Sequence, residues 1–189
     1  MENKMFCFQC EQTAKCTGCT GNAGVCGKKA DTAQIQDDLT GALIGLARAV
    51  ESSAAMRSDS VASLVVEGLF ATLTNVNFDN DALLDIHQRV KAEKQKLVSA
   101  DDYHMSNLWN ADEDIRSLKS LILFGIRGVA AYAYHAAVLG YKDDAIHKFL
   151  CKALFAIGMD NWGMEELLPI VLEVGEVNYR CMAMLDKAN

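Results

Sequence analysis

The chain has 189 residues, a formal charge of −7, 51% hydrophobic and 23% charged residues and a single proline. That length and composition suit a folded domain with a real core. The acidic balance argues against nucleic acid or an anionic membrane surface as a partner, because both call for basic patches.

Five of the seven cysteines fall within the first 26 residues, at Cys7, Cys10, Cys16, Cys19 and Cys26. The segment before Cys7 carries Glu2 and Lys4 and has no apolar run, so it reads as neither a signal peptide nor a transit sequence. Thiols this dense in a reducing compartment point to metal or cluster binding, and the expected location is cytoplasmic. Cys7 and Cys10 form a CxxC pair; eight residues separate Cys10 from Cys19, and six separate Cys19 from Cys26. Four thiolates complete an iron–sulfur site. Zinc remains open, with Cys7/Cys10 and Cys16/Cys19 as two CxxC pairs and Cys26 spare, and so does a redox dithiol. Gly18, Gly21, Gly24 and Gly27 would let backbone approach a cluster, and Phe6, Phe8 and Val25 would wall it. Lys28 and Lys29 would offset its negative charge, dock an acidic redox partner, or sit solvated at a helix entry.

Helices follow. Asp31 with Gln34 suggests a capping box, and Ile35, Leu39, Leu43, Leu46 and Val50 make one apolar stripe. Asp59-Ser60 opens a second helix with Leu64, Val65, Leu69 and Leu73, stopped near Asn75-Val76-Asn77. Asp79 or Asn80 caps a third, expected to reach about Ser99. Residues 100–111 lose periodicity and read as a linker. The remaining helices are predicted from about Asp112 to Leu139, from Asp143 to Ile157, and from about Met164 to Lys187, with Pro169 in the first turn or at a kink. The expected fold is all-α: a cysteine-rich segment over residues 1–30, a three-helix bundle over 31–99, the linker, and a second three-helix bundle over 112–189. No stretch reads as a membrane span.

Other chemistry is sparse. Cys151 and Cys181 lie on apolar stripes and read as core thiols. His135, among aromatics, reads as a core or inter-domain residue; Trp109 and Trp162 stand in connections and could anchor one half on the other. Asp112-Glu113-Asp114 and Glu165-Glu166 sit at helix starts, where carboxylates complement the macrodipole. No catalytic residue is assigned.

Several blocks together resemble a known family. Met5-Phe6-Cys7-Phe8-Gln9-Cys10-Glu11-Gln12-Thr13-Ala14, Gly18-Cys19-Thr20 and Gly24-Val25-Cys26-Gly27-Lys28 are similar to the N-terminus of the hybrid cluster proteins, or hydroxylamine reductases. The likeness continues through Leu73-Thr74-Asn75-Val76-Asn77-Phe78, Gly128 to Gly140, and Met184 to Asn189. It implies that Cys7, Cys10, Cys19 and Cys26 hold one cluster, [4Fe–4S] on the short cysteine spacing, with [2Fe–2S] as the alternative. The last gap is one residue longer than the commonest form, and Cys16 is extra and an alternative ligand. The domains that carry the hybrid cluster in the family are not found in this sequence. The expected function is therefore electron transfer through one cluster, fed by a redox donor protein, with no hydroxylamine reduction by this chain alone. The alternatives are a truncated or split piece of a hydroxylamine reductase completed by another polypeptide that carries the hybrid cluster, and a zinc-stabilised, non-redox binding or structural protein; the expected partners beside the donor are that polypeptide or a second copy bound through the second bundle.

Overall fold

The structure is a computed structural model that describes the chain except residues 1–4, 11, 14–16, 54–57 and 98–100. Among the described residues it is all-helical, with seven helices: α1 (Ala30–Ser52), α2 (Asp59–Ala71), α3 (Asn80–Gln95), α4 (Met105–Trp109), α5 (Glu113–Val138), α6 (Asp144–Gly158) and α7 (Met164–Ala188). The helix more than expected is α4, a single short turn inside the stretch read as linker. The third helix closes at Gln95, and the expected end at Ser99 lies outside the described residues.

Local capping follows side-chain chemistry. Asp79 accepts from the backbone N–H of Asp81 and Ala82, and Asp143 from that of Ala145. Ser58, one residue ahead of the expected start, caps α2 through Val61 N–H. The capping box expected at Asp31 does not form: α1 begins at Ala30, and Asp31 accepts instead from Thr32 N–H and from the Asn80 amide of α3. Pro169 lies inside α7, beyond its first turn.

The helices share one hydrophobic core. α1 packs chiefly on α3 and α6, α2 on α5, and α5 on α7 and α6. Leu39, Leu43, Leu69, Leu83, Ile126 and Leu154 from five different helices lie in the same buried cluster. Cys151 and Cys181 are fully buried there, and burial pushes the Cys181 thiol up to about 11.

Helix α5 is long and apolar enough by composition to cross a membrane, contrary to the sequence expectation. Its apolarity is used in contacts with four neighbouring helices, and it carries the buried cations Lys119 and Arg127. Helix α7 packs on one face only; Met164, Leu168, Leu172, Tyr179 and Met182, spaced by four, four, seven and three, form an exposed apolar stripe along another.

One close approach fixes the region near the cysteines. Gly41 and Gly45 make a notch in α1 on which residues 101–103 lie, with Tyr103 N–H donating to the Gly41 carbonyl at 3.0 Å. A Cβ at Gly41 would collide with the Tyr103 carbonyl. The strap leads directly into α4, and Trp109 at its end meets Phe8 at 5.4 Å and Phe6 at 5.9 Å between ring centroids. Trp109 thus anchors the cysteine segment, whereas Trp162 packs edge-on against Phe155 of α6.

Candidate metal centre

The cysteine segment is irregular but pinned. Cys7 and Cys19 exchange backbone hydrogen bonds, Cys7 N–H to Cys19 O at 3.0 Å and Cys19 N–H to Cys7 O at 2.9 Å. In such an antiparallel pair the two residues stand opposite each other with their side chains on the same face. Gly18 permits the pairing: its φ is +67°, and an added Cβ would sit 2.6 Å from the Cys7 carbonyl oxygen. A second backbone bridge, Ala23 to Lys29, closes the turn that carries Cys26.

Cys7, Cys10 and Cys19 are half-buried, Cys26 is exposed, and all four are free thiols. Cys16 lies outside the described residues. Val25 is 78% exposed, so it is no part of a dry wall; Phe6 and Phe8 pack against Trp109. Burial pushes the Cys7 thiol up, with the Lys28 charge working against the shift and Asp37 adding to it.

Residues 73–78 clamp the segment from the α2–α3 connection. Thr74 donates to the Gln9 carbonyl at 2.5 Å, and the Phe78 ring lies 5.7 Å from Lys28 Nζ. Asn77 O accepts from the Gln36 amide at 2.8 Å. The block singled out in the sequence therefore holds the loop in place.

Beneath the cysteines lies a buried polar layer that sequence reasoning missed in part. Lys28 is 1% exposed, so it neither docks a partner nor sits solvated at the helix entry, whereas Lys29 is exposed. Its Nζ donates to Gln9 Oε1 at 3.1 Å and Gln36 Oε1 at 2.7 Å, and reaches Cys7 Sγ at 3.9 Å. Arg127 of α5, also 1% exposed, donates to the hydroxyls of Thr72 at 3.2 Å and Thr40 at 3.0 Å. Its Nη1 is buried with no hydrogen-bond partner among the described residues. Burial lowers Arg127 to about 10, with Asp37 and Cys7 opposing the shift. Burial pushes Asp37 up to about 6 against the pull of Arg127, Trp109 and Lys28. Asp37 also lines a small cleft of about 290 Å³ beside Phe6, Gln34, His104 and Trp109.

His135 is not a core residue: it is exposed, in a surface group with Phe70 and Tyr134. In the neighbouring 128–137 block, Ala130, Ala133 and Ala136 are core residues.

Among the described residues no three His, Cys, Asp or Glu side chains converge on one point as a ready metal site. The fit to an iron–sulfur group rests on the donor set and the charge beneath it. Of the four free thiols, Cys7 lies against two buried cations, Lys28 by hydrogen bond and Arg127 by charge; among the described residues these cations donate to neutral groups and the Cys7 sulfur, and Asp37 is a carboxylate that feels both charges. A negatively charged, thiolate-ligated group suits that layer.

Comparison with known proteins agrees. Hydroxylamine reductases from Desulfitobacterium hafniense (strain Y51), Caldanaerobacter subterraneus subsp. tengcongensis and Methanococcus vannielii are 41%, 38% and 38% identical to it over 98% of this chain. The chain spans 39% of the length of each of these curated relatives. The family model described as Prismane/CO dehydrogenase family matches residues 5–189, the cysteine segment and every helix together. The chain therefore belongs to the Prismane/CO dehydrogenase family.

Proposed function

We propose that the chain is an iron–sulfur electron-transfer module, with Cys7, Cys10, Cys19 and Cys26 as the ligands of one [4Fe–4S] cluster. Such a cluster supplies one-electron uptake and release. The chain's own residues provide the rest. The backbone bridge sets Cys7 and Cys19 side by side, Phe6, Phe8 and Trp109 shield one flank, and exposed Cys26 leaves the other open to a redox donor. The observation that carries the reading is the pair of buried cations, Lys28 and Arg127, beside Cys7 in a segment with four free thiols. The free thiols suit a reducing, cytoplasmic setting.

The test is iron, zinc and acid-labile sulfide per chain after purification without oxygen. About four irons with matching sulfide are expected. Half that content would make the cluster [2Fe–2S]. Zinc without sulfide would overturn the redox reading in favour of a structural knot.

A second reading is favoured by the exposed apolar stripe on α7 and by the 39% coverage of the relatives. In it the chain is one portion of a hydroxylamine reductase, and a polypeptide equivalent to the remainder covers that stripe. The two readings are compatible, since a relay module needs an acceptor.

A further inference from the structure

We propose that Lys28 is a positioning residue whose fixed positive charge, aimed at the Cys7 sulfur, favours electron uptake at the cysteine centre. The inference rests on the iron–sulfur reading above and adds a role for one side chain.

An ordinary lysine lays its stem along apolar surface and keeps its ammonium in water. Lys28 keeps its ammonium inside. The group has three protons to donate, and three acceptors surround it: Gln9 Oε1, Gln36 Oε1 and Cys7 Sγ. Both oxygens are themselves fixed. Gln36 donates its amide N–H to Asn77 O, and the backbone carbonyl of Gln9 accepts from Thr74. Phe78 closes the remaining side as a cation–π partner.

The clamp is neutral, and that is its significance. Amide oxygens hold the ammonium without cancelling its charge, whereas a carboxylate in either position would form an ion pair. Arg127 follows the same pattern, held by two threonine hydroxyls. A thiolate-ligated cluster gains one unit of negative charge when an external one-electron donor reduces it, with no bond made or broken in the protein. A fixed cation in a water-poor layer stabilises that added charge, and hydrogen bonding to a ligand sulfur acts in the same direction.

The experiment is a redox titration followed by electron paramagnetic resonance, on anaerobically purified chain whose iron and sulfide have first been measured. Lys28→Met removes the charge and keeps the stem. Gln36→Glu leaves Lys28 in place but pairs it with a carboxylate. Lys29→Met, at an exposed position, is the control. At a fixed solution potential the reduced-to-oxidised ratio should fall about tenfold in Lys28→Met, equivalent to about 59 mV for one electron. Gln36→Glu should shift it in the same direction, and Lys29→Met should leave it within about twofold. Electron–nuclear double resonance of the reduced wild type should also show an exchangeable proton coupling that Lys28→Met lacks. Unchanged ratios in cluster-loaded Lys28→Met and Gln36→Glu would overturn the proposal; if Lys28→Met does not load, Gln36→Glu decides. Wild-type chain without iron and sulfide would instead sink the iron–sulfur reading, and this inference with it.

Discussion

Gly18 is the residue on which the pairing of Cys7 with Cys19 turns. Its left-handed backbone and its approach to the Cys7 carbonyl both exclude a side chain. Gly18→Ala should cost about 1–2 kcal/mol in strain and break the bridge between Cys7 and Cys19, so iron and sulfide content should fall while helicity by circular dichroism stays near wild type. Asp37 makes a different prediction. Its folded-state carboxyl is pushed up to about 6, above the value of about 4 for an unfolded aspartate. The folded state therefore binds more protons between these values, and the contribution of Asp37 to stability declines as pH rises from about 4 to 6. Asp37→Asn should remove that decline, which denaturant unfolding at pH 4, 5, 6 and 7 would reveal; an unchanged pH profile would contradict it. Lys28 shows the limit of reading residues from sequence. Its place after the last clustered cysteine is visible, but its burial depends on Gln9 and Gln36, 19 and 8 positions away, folding over it.

Among the elements, the long helices were legible because their apolar positions recur on one face over three or more turns. Helix α4 was not, because five residues carry no detectable period. The Asp31 cap failed for a related reason: Asn80, distant in sequence, offered its carboxylate a tertiary partner. The glycine notch of α1 was also hidden, since Gly41 and Gly45 read as ordinary helix positions until the strap at 101–103 is laid on them. Gly41→Ala should lift the strap, at a cost of about 1–3 kcal/mol and several degrees in Tm. Because α4 follows the strap, Trp109 should lose its packing on Phe6 and Phe8, and tryptophan emission should shift to the red. A lower Tm with unchanged emission would mean that the strap does not position α4.

For the molecule as a whole, the all-α class follows from the sequence, but the joining of both helix groups into one core does not. That joining depends on long-range contacts of α1 with α6 and α2 with α5, which amphipathic periodicity cannot specify. The α7 stripe gives a prediction at this scale. Leu168→Glu combined with Leu172→Glu should reduce self-association or partner capture, measured by sedimentation, with iron content unchanged. Purified chain with a chemical reductant should not reduce hydroxylamine; turnover would imply a second reactive centre.

The buried layer under the cysteines also has a history in time. Cys26 is translated about 100 residues before Arg127, an interval of roughly 5–20 s at ordinary elongation rates. For most of that interval the strap and Trp109 are missing, and Arg127 is missing for all of it. A ribosome paused before the strap would therefore hold a nascent protein whose cysteine segment lacks the partners that pin it in the folded chain.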